Sequence, residues 1–243
     1  MASVTPAIRV KESRQFYVGM AITTIIVIVA GFSRTYYLRS VFDSPPLAPL
    51  VGWHAVVMTL WLLLFLAQTL LIRSESVAAH RRFGIAGAVL AGAIVVLGLE
   101  TMLFGGHEGF VGGGYPGSAL SFMSIPFFDV LVFALLIGTG LYFRRDSSTH
   151  KRLMLLATIA LWPPGVSRLP IVPAGMPGGL FAAIAISCVV VAWGAYDFVV
   201  QRRLHPVFIW AGVPFIASLP LRFAIGMTDA WVAFASWMLD TLP

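Results

Sequence analysis

The amino-acid sequence predicts an all-α fold, a polytopic transmembrane bundle of seven helices that forms a single membrane domain over residues 1–243. Hydrophobic residues make up 59% of the chain and charged residues 11%, less than half of the roughly 25% charged residues in soluble domains. The mean hydropathy is +0.91, and the apolar residues gather in repeated runs of about twenty, enough to cross a hydrocarbon core of about 30 Å. Backbone groups in lipid must be paired within their own segment, so these runs are predicted to be helices.

Seven apolar runs mark the predicted spans, and short joints connect them. They cover residues 16–36, 50–72, 83–104, 119–143, 152–172, 178–200 and 206–226. Behind the last span, Trp231, Phe234 and Trp237 recur three residues apart, which places them on one face of a helix. The segment 228–240 is therefore predicted to be a short helix that lies in the outer membrane interface.

The distribution of basic residues predicts the orientation of the spans. Of the sixteen Lys and Arg, three precede the first span, and three, four and two lie in the joints after spans two, four and six. These residues are Arg9, Lys11, Arg14, Arg73, Arg81, Arg82, Arg144, Arg145, Lys151, Arg152, Arg202 and Arg203. Positive charge accumulates on the cytoplasmic side, so the N-terminus is predicted to be cytoplasmic and the C-terminus extracytoplasmic. Because this charge lies in short joints and forms no basic domain, the expected partner is the lipid bilayer, and nucleic acid is excluded.

Ionisable side chains inside the spans are the candidate functional residues, because charge within a bilayer is costly and marks function. At a rise of 1.5 Å per residue, six of them lie roughly 21–27 Å from the cytoplasmic ends of their helices, in the outer part of the membrane. They are Arg34, His54, Glu100, Asp129, Arg168 and Arg222, each from a different span. Three arginines and two carboxylates leave surplus positive charge, which suits a carboxylate, a phosphate or a haem propionate. The alternative is that Arg34 and Arg222 reach the outer surface and the acids pair locally.

Broken helices converge on the same depth. The Pro-Pro-Gly string at 163–165 cannot continue a regular helix, because proline lacks the amide hydrogen, and Arg168 follows it directly. In the last span, Pro220 lies two residues before Arg222. Interrupted helices that carry polar groups are typical of binding sites in membranes, although a simple packing kink gives the same pattern. The glycine-rich joint 105–118 is interpreted either as a lid over this zone or as a flexible loop.

Three histidines are candidate metal ligands. His54 lies well inside a span, whereas His80, His150 and also His205 begin spans at the cytoplasmic face. Such interfacial histidines commonly cap helices or bind lipid headgroups. The alternative is that two of them, from neighbouring helices, ligate a haem, because axial haem ligands converge from facing helices of a bundle. Haem b is therefore the cofactor considered, with His54, His80 and His150 as candidate axial ligands.

Several protein classes are excluded by what the sequence lacks. Its only lysines are Lys11 and Lys151, so no late span carries the lysine that a retinal protein needs. No P-loop, nucleophile elbow, Rossmann fingerprint or HExxH zinc motif is present. The single cysteine, Cys188, rules out a disulfide within the chain.

Five stretches carry a resemblance to a family of membrane proteins. They are PLAPLVGWHAVVMTLWLLLFLAQTLL (46–71), HRRFGIAGAVLAG (80–92), HKRLMLLATIALWPP (150–164), RRLHPVFIWAG (202–212) and SLPLRFAIGMTDAWVAFASWML (218–239). With the motifs HRRxG and HKRLM, the chain resembles an uncharacterised bacterial family of seven-span inner-membrane proteins, from about residue 16 to 240. The resemblance implies a location in the bacterial inner membrane and no established activity. The histidine pattern is also similar to small b-type cytochromes and to proteins of haem insertion, although their paired histidines at mid-depth are not reproduced.

Three functions follow from these patterns. The first is a membrane protein whose polar pocket in the outer leaflet binds an anionic ligand, namely haem, a quinone or a lipid headgroup, with a redox role in the first two cases. The second is a membrane enzyme or proton-coupled transporter that uses Glu100 and Asp129 as acid–base groups. The third is an assembly or scaffold subunit of a membrane complex, in which the polar residues only hold helices together.

Overall fold

The computed structural model describes residues 6–242, with side chains described from residue 14 onward. Ten α-helices make up most of the described chain: α1 (Pro6–Gly31), α2 (Pro49–Arg73), α3 (Val77–His107), α4 (Ala119–Phe122), α5 (Ser124–Tyr142), α6 (Ser147–Ile159), α7 (Pro163–Val166), α8 (Gly178–Gln201), α9 (Val213–Gly226) and α10 (Asp229–Thr241). Two π-helical turns, Ser33–Tyr37 and Phe208–Gly212, follow α1 and precede α9. Residues 6–242 contain no β-strand, which confirms the all-helical class.

Six helical segments are long and apolar enough to cross a membrane. They are Arg14–Gly31, Pro49–Arg73, Val77–His107, Ala119–Tyr142, Gly178–Gln201 and Phe208–Gly226. Most of their side chains face outward, which is the expected pattern where the surrounding solvent is lipid rather than water. These segments identify the chain as a multi-pass integral membrane protein.

The segment predicted as the fifth span, residues 152–172, is divided in the structure. Helix α6 runs from Ser147 to Ile159, and α7 occupies only Pro163–Val166 after a short turn. Pro163 and Pro164 lie at the start of α7, where proline is tolerated because the first amide hydrogens of a helix have no partner within it. The N-terminal end of α6 is capped by the carboxylate of Asp146, which accepts hydrogen bonds from the amide nitrogens of Ser148 at 3.0 Å and Thr149 at 3.4 Å.

Helix α6 lies inside the bundle. From Leu153 to Trp162 every side chain is buried except Met154, which is half-buried. The longer helices surround it, with α1 on α2, α2 on α3, α3 on α5, α5 on α9 and α9 on α8, while α7 packs against both α8 and α1. An all-round apolar helix is stable in such a central position, because every face of it is covered.

Helix α7 approaches α1 unusually closely. A Cβ atom built on Gly31 would lie 2.1 Å from the carbonyl oxygen of Gly165, so only a glycine fits at this position of α1. The contact holds the broken end of the central segment against the first helix. The C-terminal helix α10 is tethered separately, because the indole Nε1 of Trp231 donates to the carbonyl oxygen of Leu120 at 2.8 Å.

Candidate functional site

The first polar site is an ion pair between two apolar helices. A guanidinium nitrogen of Arg222 on α9 donates to a carboxylate oxygen of Asp129 on α5, and both residues are buried, at 2% and 7% exposure. Arg222 also donates to the hydroxyl of Ser218 at 3.0 Å and to the Ser218 carbonyl at 3.2 Å. The hydroxyl of Ser124 donates to the Arg222 carbonyl at 2.9 Å. Arg222 therefore has hydrogen-bond partners for its Nε and for both terminal nitrogens.

The glycine-rich joint lies against the C-terminal end of α9. A Cβ atom on Gly226 would meet the Ser124 hydroxyl at 2.3 Å and the Tyr115 hydroxyl at 2.9 Å. Tyr115 stacks near Phe223, with ring centroids 6.0 Å apart, and its hydroxyl contacts the sulfur of Met227 at 3.7 Å. The joint predicted as a lid or a loop thus places one aromatic side chain next to the polar end of α9.

The other four residues predicted for the outer zone do not contact this ion pair. Arg168 is exposed; its guanidinium lies 5.1 Å from the ring of Phe32 and donates to the Pro164 carbonyl at 2.6 Å. Arg34 is exposed and lies 5.2 Å from the ring of Phe42. The remaining two are placed differently: Glu100 is exposed on α3, and His54 is half-buried on α2 beside the carbonyl of Leu97. Among the contacts of the described residues, only Asp129 and Arg222 of the six predicted residues join each other.

A second buried ion pair lies near the other ends of the helices. Arg152 of α6 donates to the carboxylate of Asp197 on α8, and the two side chains are exposed by only 2% and 9%. Arg152 also donates to the carbonyl and the hydroxyl of Ser148, at 2.7 and 2.8 Å. From the sequence, Arg152 was assigned to the basic joint and was not selected as a site residue. The signal was Asp197, the only Asp, Glu, Lys or Arg within the 178–200 span, which requires a buried cation nearby.

Aromatic and basic side chains surround this inner pair. Lys151 lies 5.2 Å from the ring of Tyr17, and the ring of Phe16 stacks on that of Tyr196 with centroids 4.5 Å apart. Burial lowers the pKa of His205, and the nearby positive charge of Arg152 lowers it further. Charge repulsion and burial together therefore favour the neutral form of this imidazole.

Two of the three predicted metal ligands meet in the structure. The rings of His80 on α3 and His150 on α6 have centroids 6.4 Å apart and planes 80° apart. His54 is not part of this contact, because it lies on α2 next to Leu97. Within the described part of the chain, no group of three or more His, Cys, Asp and Glu side chains could hold a metal ion. The histidine pair therefore belongs to no larger cluster of potential ligands among the described residues.

A groove of about 340 Å³ opens between the first π-helical turn and the start of α2. It is lined by Tyr36, Arg39, Leu47, Ala48, Pro49, Gly52, Trp53 and Val56. Beside the groove, a hydrogen bond of 3.0 Å between the hydroxyls of Tyr37 and Thr59 joins the π-helical turn to α2. Arg39 was not selected from the sequence, because it lies outside the apolar runs.

Comparison with known proteins found no matching family model, no matching curated protein and no matching solved structure. The function must therefore be inferred from the geometry of these sites.

Proposed function

We propose that this protein binds an anionic amphiphile, a molecule with a phosphate or carboxylate head and an apolar tail, from the outer leaflet of a bacterial inner membrane. The groove between the first π-helical turn and α2 supports this proposal, because it combines one cation with apolar and aromatic walls. None of the six residues selected from the sequence for an outer-leaflet pocket lines this groove.

The head of the ligand would be recognised by Arg39. A guanidinium binds phosphate and carboxylate oxygens through two parallel hydrogen bonds, which selects anions over neutral heads. Arg34 adds positive charge at the same joint, and the hydroxyl of Ser44 fixes the backbone there by donating to the Arg34 carbonyl at 2.8 Å. No carboxylate lines the groove among the described residues, so the local charge favours an anion.

The tail of the ligand would follow the outer face of α2. Trp53, Val56, Leu60 and Leu63 recur at helical spacing, and all of them are exposed, by 66%, 37%, 48% and 54%. Trp53 and Val56 line the groove as well. The stripe therefore leads from the polar groove down a surface that lipid chains cover.

Among the three ligands considered, a lipid-like anion fits this site best. A haem in the groove would need an axial ligand there, and His54 does not line it, although it is the next residue after Trp53. A quinone head carries no negative charge for Arg39 to neutralise. The shared chemistry of phospholipids and fatty acids, an anion on an apolar chain, matches both halves of the site.

The orientation that this proposal needs places the groove on the extracytoplasmic side. The basic joints support a cytoplasmic N-terminus, and the joint between α1 and α2 then lies outside. This topology needs one span besides the six long apolar segments, and the central α6–α7 unit, predicted as the fifth span along the chain, would supply it. Residues 147–166 reach about 30 Å if they rise as a helix does. The α6–α7 unit does not resemble a lipid-facing span, because α6 is buried and none of its faces has to be compatible with lipid.

Direct binding tests the proposal. Purified protein in nanodiscs of phosphatidylcholine would be titrated with phosphatidylglycerol and with a fatty acid, and occupancy would be followed by native mass spectrometry and by Trp fluorescence. We expect Arg39→Gln to weaken binding of both anions by about tenfold or more, the equivalent of losing a charge-assisted hydrogen bond.

Arg168→Gln is the matched control, because Arg168 is an exposed outer arginine that does not line the groove. We expect it to leave binding unchanged. Equal losses in both variants, or no preference of the wild type for anions over phosphatidylcholine, would contradict the proposal. Loss of fatty acid binding alone, with phosphatidylglycerol retained, would also contradict it, since both heads should need Arg39.

Topology is tested separately with cysteine labelling. In a Cys188→Ala background, single cysteines at Ser44, Ser74 and Ala174 would be treated in intact cells with a thiol reagent that does not cross membranes. We expect Ser44→Cys to be labelled and Ser74→Cys to be protected. Ala174→Cys reports the joint after α7, and it should be labelled like Ser44→Cys. Protection of Ala174→Cys would mean that the α6–α7 unit does not cross the membrane.

A second candidate, the scaffold subunit, is favoured by the Asp129–Arg222 pair. Arg222 has partners for its donors within the bundle, so the pair joins α5 to α9 without offering a group to a ligand. The same observation argues against Asp129 as the acid–base group of an enzyme or transporter, and Glu100 lies exposed and separate from it. If the groove variants leave anion binding unchanged, the scaffold role is the one that the pair supports.

A further inference from the structure

We propose that His80 and His150 together bind one monovalent copper ion at the end of the bundle opposite the groove. This inference does not depend on the anion site, because the two histidines lie on α3 and α6 and share no residue with the groove.

The distance between the two imidazole rings is compatible with both of them binding one metal ion. Their centroids are 6.4 Å apart. A nitrogen lies about 1.1 Å from the centre of an imidazole, and a metal lies about 2.0 Å from each coordinating nitrogen, which gives roughly 6.2 Å for a linear N–metal–N unit. The separation is therefore close to that of two imidazoles sharing one ion.

Each imidazole ring has one nitrogen atom that is left for a metal ion. The Nδ1 of His150 lies 2.8 Å from the carbonyl oxygen of Gly140, so this nitrogen carries the proton and Nε2 keeps its lone pair. His150 therefore has the arrangement of metal-binding histidines, with one nitrogen held by a carbonyl and the other left for the ion. The His80 ring lies near the backbone of Gln68. The buried Nδ1 of His80 has no hydrogen-bond partner, which leaves this nitrogen available to an ion.

The number of ligands and the local positive charge favour monovalent copper over other metal ions. Zinc in a structural site needs four ligands, and the described residues offer no cluster of three. Monovalent copper is stable with two nitrogen ligands in a line, and imidazole suits copper. Arg81 and Lys151 are the sequence neighbours of the two histidines, and their positive charge repels a divalent ion more than a monovalent one.

Competition for Cu(I) tests the inference. The purified full-length protein, kept reduced with ascorbate, would be titrated into the coloured Cu(I) complex of bicinchoninate. We expect the wild type to withdraw one Cu(I) per chain. His80→Gln and His150→Gln should each weaken this withdrawal by at least about tenfold, the range seen when a metal site loses part of its support. His107→Gln, in the exposed outer joint, and His54→Gln should withdraw copper as the wild type does.

X-ray absorption at the copper edge of the wild-type protein keeps the test independent of variants that fold poorly. We expect two nitrogen neighbours at about 2.0 Å and no sulfur. A sulfur neighbour, a wild type that withdraws no copper, or equal losses in the His107 and His54 variants would overturn the proposal. A Soret band in the purified protein that disappears in both His80→Gln and His150→Gln would also overturn it, because the pair would then belong to haem iron.

Discussion

Arg222 of α9 and Asp129 of α5 form an ion pair inside the helix bundle, although 93 residues separate them along the chain. Arg152 and Asp197 form a second buried pair, which joins α6 to α8. Each pair therefore links a helix from the middle of the chain to a helix near its end. In a bundle whose other contacts are mainly apolar, two such links restrict how α5, α6, α8 and α9 can rotate against one another.

Removal of the Asp129 charge should destabilise the protein strongly. Asp129→Asn leaves Arg222 buried without a counter-charge, and such a change typically costs about 3–5 kcal/mol. The measurement is the free energy of unfolding in mixed detergent micelles as the fraction of denaturing detergent rises. The double change Asp129→Leu with Arg222→Met should lose much less, because no charge is then left unpaired.

The exposed pair between Arg14 and Glu75 is the control for Asp129→Asn. These groups lie 2.7 Å apart, but the side chains are exposed by 33% and 76%. Glu75→Gln should change the free energy of unfolding by about 1 kcal/mol or less, because water and salt screen the pair. If Asp129→Asn proved as mild as Glu75→Gln, the pair on α5 and α9 would not be a structural link.

Loss of the Asp197 charge should destabilise the protein, whereas loss of the neighbouring Tyr17 hydroxyl should not. Asp197→Asn removes the counter-charge of Arg152 and is expected to cost several kcal/mol of unfolding free energy. The buried hydroxyl of Tyr17 has no hydrogen-bond partner, so Tyr17→Phe should cost nothing or stabilise the protein slightly. Both variants would be compared by the same detergent titration, and a Tyr17→Phe loss as large as that of Asp197→Asn would show that the hydroxyl is engaged after all.

A single methyl group should disrupt the contact between α1 and α7. In Gly31→Ala the new Cβ atom would meet the carbonyl oxygen of Gly165 at 2.1 Å, so the backbones have to separate. We expect a loss of at least about 1–3 kcal/mol, the usual range for overpacking. Gly19→Ala in the same helix has no atom within 4 Å of the new Cβ and should be neutral or stabilising. Equal thermal midpoints for the two variants would mean that α7 is not held at Gly31.

The cap of α6 predicts a pH dependence. A hydrogen bond from the Thr149 hydroxyl, at 2.5 Å, and the helix amides lower the pKa of Asp146 in the folded protein. A carboxylate with a lowered folded pKa stabilises the protein above its unfolded pKa of about 3.9, and this contribution is lost as the pH falls through the folded pKa. The wild type should therefore lose more stability between pH 6 and pH 3 than Asp146→Asn, which keeps a capping side chain without a charge.

Thermal unfolding at a series of pH values would measure this difference. Asp146→Ala, which removes the cap itself, should cost roughly 0.5–2 kcal/mol near neutral pH, where Asp146→Asn costs less. Parallel pH profiles for the wild type and Asp146→Asn would contradict the assignment of this pH dependence to Asp146.

Some features of the site could be found from sequence and others could not. Asp129 and Arg222 were selected because a charge inside an apolar run has few explanations. Arg152 was not selected, because it follows His150 and Lys151 in a basic joint, where a charge is ordinary. Similarly, Arg39 lies outside the apolar runs, and its place in a groove depends on how the π-helical turn folds against α2.

The sequence by itself determined that this protein is helical and compatible with lipid, because apolarity and helix length are properties of each segment alone. Only the tertiary structure decided which charges meet. A helix turns by about 100° per residue, so a partner for Arg222 depends on the rotation and offset of two helices far apart in sequence. The same reason explains why α6 is central: its apolar residues alone do not tell a lipid-facing helix from one that the other helices cover on every side.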